Sequence, residues 1–121
     1  MSTTLGPVTP VFRIFDVAKA LEFYVDYLGF SVEWDHRFEA GMPLYMAVRR
    51  DGLALHLSEH YGDGSPGAVA RVDARGLEAF HGEITAKGYG YLRPGLDRSD
   101  TELEVTLIDP FGNRVILVET L

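Results

Sequence analysis

The sequence predicts an α+β fold of two βαβββ modules, forming a curved mixed sheet around a cleft with the helices outside. Three observations carry that prediction. The element order β-α-β-β-β can be read twice along the chain. The two readings register with a shift of 60, so that Val17 falls on Leu77, Ala20 on Phe80, Tyr24 on Ile84 and Gly52 on Gly112. The turn cluster Tyr61-Gly62-Asp63-Gly64-Ser65-Pro66-Gly67 separates two halves of similar length. A repeated element order implies two similar units, neither of which buries its sheet alone. Residues 1–121 are therefore read as a single domain, with module one at about 8–60 and module two at about 68–119.

In module one, Val11 to Phe15 is a short β-prone run. Asp16 follows as an N-cap, since its carboxylate can accept from free N–H groups at a helix start. Val17, Ala20, Leu21, Tyr24 and Leu28 recur at helical spacing. Gly29 stops that helix where a left-handed residue is cheapest. Strands are expected at Phe30 to Phe38, Leu44 to Arg49 and Leu53 to Ser58. Asp51-Gly52 between the last two is a hairpin signal, because Gly tolerates positive φ.

In module two, Ala68 to Ala74 reads as a strand. Leu77, Phe80, His81 and Ile84 mark a helix face, and Gly88 ends it. Tyr89 to Arg93 is expected as a short strand or extended segment. Glu102 to Ile108 alternates polar and apolar, as a half-buried strand does. Asp109-Pro110-Phe111-Gly112-Asn113 makes a turn before the last strand, Arg114 to Glu119.

Composition narrows the function. The chain has 121 residues, 46% hydrophobic and 24% charged, the profile of an ordinary globular domain. With no cysteine it has no disulfide framework, no thiolate zinc site and no cysteine nucleophile. A formal net charge of -7 argues against nucleic acid and anionic membrane as partners, because both are bound by Lys and Arg. No signal-like or membrane-spanning run is visible, so a cytoplasmic location is expected. The Gly62 to Gly67 loop lacks the following helix that phosphate binding needs, and no nucleophile elbow is present.

Two short segments resemble a known family. Phe12-Arg13-Ile14-Phe15-Asp16-Val17, followed by Glu22-Phe23-Tyr24 and Leu28-Gly29-Phe30, resembles the opening module of the vicinal oxygen chelate superfamily, and Asp109-Pro110-Phe111-Gly112-Asn113 resembles its closing turn. The resemblance spans about residues 8–119 and both segments stand at the expected separation. The superfamily includes glyoxalase I, extradiol dioxygenases, fosfomycin-modifying enzymes and bleomycin-resistance proteins, and the fold alone does not choose among them.

The resemblance also implies where a metal would sit in the metal-dependent members. Those positions fall here on Thr9, His56, Val69 and Ile116. A divalent ion needs several N, O or S donors at about 2.0–2.6 Å, and Val69 and Ile116 offer none. No resident metal and no other cofactor are expected. His56, Glu59 and His60 are a further candidate metal group, disfavoured because His56 and Glu59 face opposite ways on a strand.

If those four positions face the cleft, period-two alternation assigns their neighbours. The cleft then holds Arg13, Phe15, Tyr45, His56, Arg71, Asp73 and Arg114. The tight Asp51-Gly52 hairpin sets Ala47 opposite His56 and Tyr45 opposite Ser58. Glu102 and Glu104 stay open: the shift of 60 turns Val105 inward, whereas polarity turns the glutamates inward. Trp34, His36 and Phe38 share a strand face that reads either as core or as a stacking platform.

The resemblance implies most strongly the metal-free, bleomycin-resistance-like branch, whose members bind the drug without chemistry in clefts built by two subunits. On that basis the expected ligand-binding residues are Arg13, Trp34, Phe38, Tyr45, His56, Tyr61, Arg71, Glu104 and Arg114, with no catalytic residue. The expected partners are a bleomycin-type or planar aromatic antibiotic and a second copy of the chain. The alternative is an enzyme of the same superfamily, a lyase, isomerase or dioxygenase. It would use His56 with a divalent metal or with Glu104 as an acid/base pair.

Overall fold

A computed structural model describes residues 2–121. Its elements run β1 Val11–Arg13, α1 Val17–Leu21, a π-helical continuation Glu22–Tyr27, β2 Ser31–His36, β3 Tyr45–Arg50 and β4 Leu53–Ser58, then β5 Val69–Asp73, α2 Leu77–Ala86, β6 Asp97–Arg98, β7 Glu102–Ile108 and β8 Arg114–Thr120. The two-module order expected from the sequence is present. Each module carries its own four-stranded mixed sheet, ordered β1-β4-β3-β2 and β5-β8-β7-β6. In both, the first strand of the module pairs parallel to the last, and the remaining pairs are antiparallel.

Local chemistry places the ends of the first helix. Asp16 is extended at φ -155°, and its carboxylate accepts from the Lys19 N–H at 3.0 Å. Gly29 closes the segment at φ +77°, a conformation that favours glycine. The single α-helix expected over Val17 to Leu28 instead widens after Leu21. There the Leu28 N–H reaches back five residues to the Phe23 carbonyl. The wider winding buries Phe23, Tyr24, Tyr27 and Leu28 together.

The second helix has no capping side chain of its own. Gly76, at φ +70°, stands at its start, and the Glu119 carboxylate of β8 accepts from the Gly76 and Leu77 N–H groups at 3.3 and 2.9 Å. The strand expected at Tyr89 to Arg93 is not formed. The edge strand of the second sheet is the two-residue β6, which pairs with Glu104 and Leu103. Gly90, Pro94 and Gly95 interrupt a longer strand, and Tyr89 is used instead to stack on Tyr27, with ring centroids 4.4 Å apart.

One hydrophobic core joins the modules. Phe12 and Ile14 of the first strand segment, Met46, Val48, Leu55 and Leu57 of sheet one, and Leu103, Val105, Leu107 and Val115 of sheet two all lie in it, with Tyr24 and Ile84 from the helices. Each sheet therefore has a buried face and an open one. No helix in the described residues is long and apolar enough to cross a membrane.

Candidate functional site

The open face of sheet one is aromatic. The register sets Ala47 opposite His56 and Tyr45 opposite Ser58, as the Asp51-Gly52 hairpin predicts. On the other side of β3, Trp34 pairs with Ala47 and His36 with Tyr45, beyond a bulge between Val32 and Trp34. The bulge moves Trp34 off the face it would share with Val32 and onto the face of Tyr45 and His56.

These three side chains touch. The Trp34 and Tyr45 rings are parallel to within 8° at 5.8 Å between centroids. The His56 ring stands edge-on to both, 5.2 Å from each and tilted by 70° and 76°. The Tyr45 hydroxyl lies 2.7 Å from His56 Nδ1. Trp34 remains 47% exposed, so a stacking surface is presented to solvent. Burial, and then the Asp63 carboxylate, push the Tyr45 phenol up from its ordinary value. Asp63 is itself held by the buried Ser58 hydroxyl, which donates to it at 2.9 Å.

No residue beside His56 along the chain orients its ring. The signal was in the hairpin register, because Tyr45 is the diagonal cross-strand neighbour of His56 and long enough to reach it. Ser58 and Asp63 behind Tyr45 were not expected to act together.

The open face of sheet two is charged. Glu104 pairs with Val118 and Thr106 with Ile116, while Arg71 also pairs with Ile116. Glu102, Glu104 and Arg71 therefore share a face of sheet two. Val105 is fully buried on the other side. The shift of 60 misled because it does not hold along β7: it is 60 from His56 to Ile116 but 59 from Ala47, opposite His56, to Thr106, opposite Ile116. The Arg71 guanidinium bridges Glu102 at 3.3 Å and Glu104 at 3.8 Å.

The other candidate arginines make no common network with it. Arg13 sits over the Phe15 ring at 4.7 Å and donates to the Ile14 carbonyl at 3.4 Å. Arg114 is exposed on β8 and has no ion-pair partner among the described residues. Phe38 lies beyond the end of β2 and is 77% exposed, so the expected Trp34-His36-Phe38 strand face is shortened to Trp34 and His36. Gly41 and Pro43 follow Phe38, and the chain turns there before it can extend. Tyr61, in the mid-chain turn, is 95% exposed.

Six of the candidates thus fall into an aromatic group on sheet one, Trp34, Tyr45 and His56, and a charged group on sheet two, Arg71, Glu104 and Arg114, while Arg13, Phe38 and Tyr61 stand outside both. The larger cavity, about 650 Å³, lies between the modules against Leu28, Phe30, Leu53, Leu77 and Phe80. A second, about 530 Å³, lies at Phe15, Arg37, Met42 and Glu59. Neither contains a candidate ligand-binding residue.

The metal positions implied by the superfamily do not suit a metal. Val69 and Ile116 carry hydrocarbon side chains, and His56 Nδ1 is engaged by Tyr45. Among the described residues no group of three or more His, Asp and Glu side chains is arranged to hold an ion.

The fold matches solved structures over nearly its whole length. A bleomycin-binding protein from bleomycin-producing Streptomyces verticillus, complexed with copper(II)-bleomycin, is 27% identical with a TM-score of 0.68, covering 97% of each chain. A bleomycin-binding protein complexed with bleomycin is 23% identical with a TM-score of 0.71, covering 95% of this chain and 98% of that one. An antibiotic-binding protein from a Streptomyces species is 18% identical with a TM-score of 0.71, covering 98% of this chain and 100% of that one. No curated protein matches significantly. A family model described as "Glyoxalase superfamily protein" matches residues 3–121, and the chain accordingly belongs to the glyoxalase superfamily.

Proposed function

We propose that the chain is a metal-free small-molecule binder that sequesters an antibiotic or similar ligand, with an aromatic part seated on Trp34 beside Tyr45 and His56. The observation that carries this reading is the exposed ring stack on the open face of sheet one, supported by His56 at right angles. Such a surface gains affinity by covering apolar ring area that one chain leaves in water. The charged face of sheet two, with Arg71, Glu104 and Arg114, suits polar ends of the same ligand when a second copy sets it opposite the aromatic face. The names of the neighbouring structures favour an antibiotic, and the chemistry at Val69 and Ile116 favours binding over metal-dependent turnover.

Trp34 is the only tryptophan and reports its own site. Titration with metal-free bleomycin is expected to quench its fluorescence saturably at micromolar drug. The drug should be recovered unchanged, from a species of twice 13.4 kDa. Absence of saturation removes bleomycin as the ligand. The Tyr45–His56 hydrogen bond supports a second reading, an acid/base enzyme, since it pairs two proton-transfer groups in one open site. Recovery of a chemically altered drug would favour that reading.

A further inference from the structure

The Tyr45–His56 pair has a polarity that the rings alone do not set, and it restricts what the aromatic platform can bind. The phenol of Tyr45 keeps its proton at neutral pH, because burial and Asp63 both disfavour the phenolate. Among the described residues the hydroxyl has one hydrogen-bond partner, His56 Nδ1 at 2.7 Å. When the phenol donates there, the neutral imidazole must carry its own proton on Nε2.

Among the described residues His56 Nε2 has no hydrogen-bond partner, yet no buried side-chain nitrogen or oxygen of those residues lacks one. Nε2 is therefore open to solvent. It sits on a ring that stands edge-on beside Trp34. The platform thus combines a flat apolar surface with one N–H donor at its side.

We infer that Tyr45 is a positioning residue which holds His56 as an Nε2–H donor, so that the site selects planar aromatic ligands bearing a hydrogen-bond acceptor, such as a ring carbonyl, at their edge. This rests on the proposed binding reading and adds to it a ligand class. A planar hydrocarbon of equal area would stack on Trp34 but leave the donor unpaired, and an unpaired donor on binding costs affinity.

The test uses 9-fluorenone-2-carboxylate and fluorene-2-carboxylate, flat tricycles that differ by one carbonyl, measured by calorimetry on the wild-type chain. The fluorenone is expected to bind about five- to tenfold more tightly, the range of one net hydrogen bond. Tyr45→Phe should lose most of that preference while still binding fluorene. Long-range ¹H–¹⁵N spectra, recorded with the pH raised until the imidazole signals stop moving, should show Nδ1 of wild-type His56 as the unprotonated nitrogen and a mixed pattern in Tyr45→Phe.

Equal affinity for the two probes overturns the inference. If both are then lost in Trp34→Ala, the platform reading stands without it. Binding of neither probe overturns both. A protonated Nδ1 in the wild-type spectrum overturns the role of Tyr45, and this readout requires no variant to fold.

Discussion

The Tyr24 hydroxyl donates to Asp109 Oδ2 at 2.7 Å inside the core, tying the first helix to the β7–β8 turn of the other module. Asp109 also accepts from the Phe111 and Asn113 N–H groups and from Asn113 Nδ2. Asn113 Nδ2 in turn donates to the Arg13 carbonyl at 2.8 Å. The second helix returns the contact from the opposite side, where Glu83 accepts a bidentate pair from Arg50 at the β3–β4 hairpin. Each module's helix thus holds the other module's hairpin, once through a buried network and once through a part-exposed ion pair.

Tyr24→Phe keeps the ring and leaves one lone pair of a buried carboxylate unpaired. It should cost about 1–3 kcal/mol, read as a lower urea midpoint at unchanged slope. A change below ~0.5 kcal/mol, the ordinary scatter of surface substitutions, would show that the contact between modules does not depend on this bond.

Alkaline pH should unfold the chain through its tyrosines. Burial pushes the Tyr24 phenol well up, with the charge and hydrogen bond of Asp109 acting in the same direction. Tyr27, Tyr45 and Tyr89 are also raised, each first by burial. In the unfolded chain these phenols release protons near the ordinary value of 10.0, before the folded chain does. The stability they contribute is therefore complete below that value and is lost as pH rises above it. Urea midpoints measured from about pH 8 to 11, across the ordinary tyrosine range, should fall on the alkaline side. Tyr24→Phe should flatten part of that fall.

Gly64→Ala should cost more than Gly67→Ala. Both glycines have positive φ, +78° and +84°. At Gly64 a Cβ would also lie 2.9 Å from the Val11 carbonyl oxygen, a backbone atom of β1, whereas at Gly67 it meets nothing within 4 Å. Thermal unfolding should show about 1 kcal/mol lost at Gly67 and roughly twice that at Gly64. Equal losses would mean that the mid-chain loop shifts freely away from β1.

The sequence made the elements legible wherever one face had to be buried. The strands Leu53–Ser58 and Glu102–Ile108 have the bounds that their alternation predicts, and the Asp51-Gly52 hairpin has the predicted register. Positions whose geometry depends on a single inserted residue were not legible. The bulge before Trp34 leaves no mark in the hydrophobic pattern, and the widened turn after Leu21 keeps apolar residues at spacings that also fit an α-helix. Tyr89 looked like strand because aromatic residues favour strands, but its partner is a ring sixty-two positions away, Tyr27, and no local rule reports that. In the site, parity found His56, Tyr45 and Arg71. The division of the candidates between two separate faces depends on how the modules pack, which alternation along one strand does not encode.

The missing residue of offset along β7 has a consequence for how the two halves diverge. A repeat can change the chemistry of a whole sheet face without substituting any residue of the strand, by lengthening one turn out of phase. The Asp109–Asn113 turn does this in the second half: in phase, Val105 would lie on the open face with the strand positions that match Tyr45, and Glu104 on the buried face. One duplicated unit thereby presents an aromatic surface on one side and an ionic surface on the other. A single insertion or deletion in a hairpin is thus a larger step in recognition than most substitutions in the strands it joins.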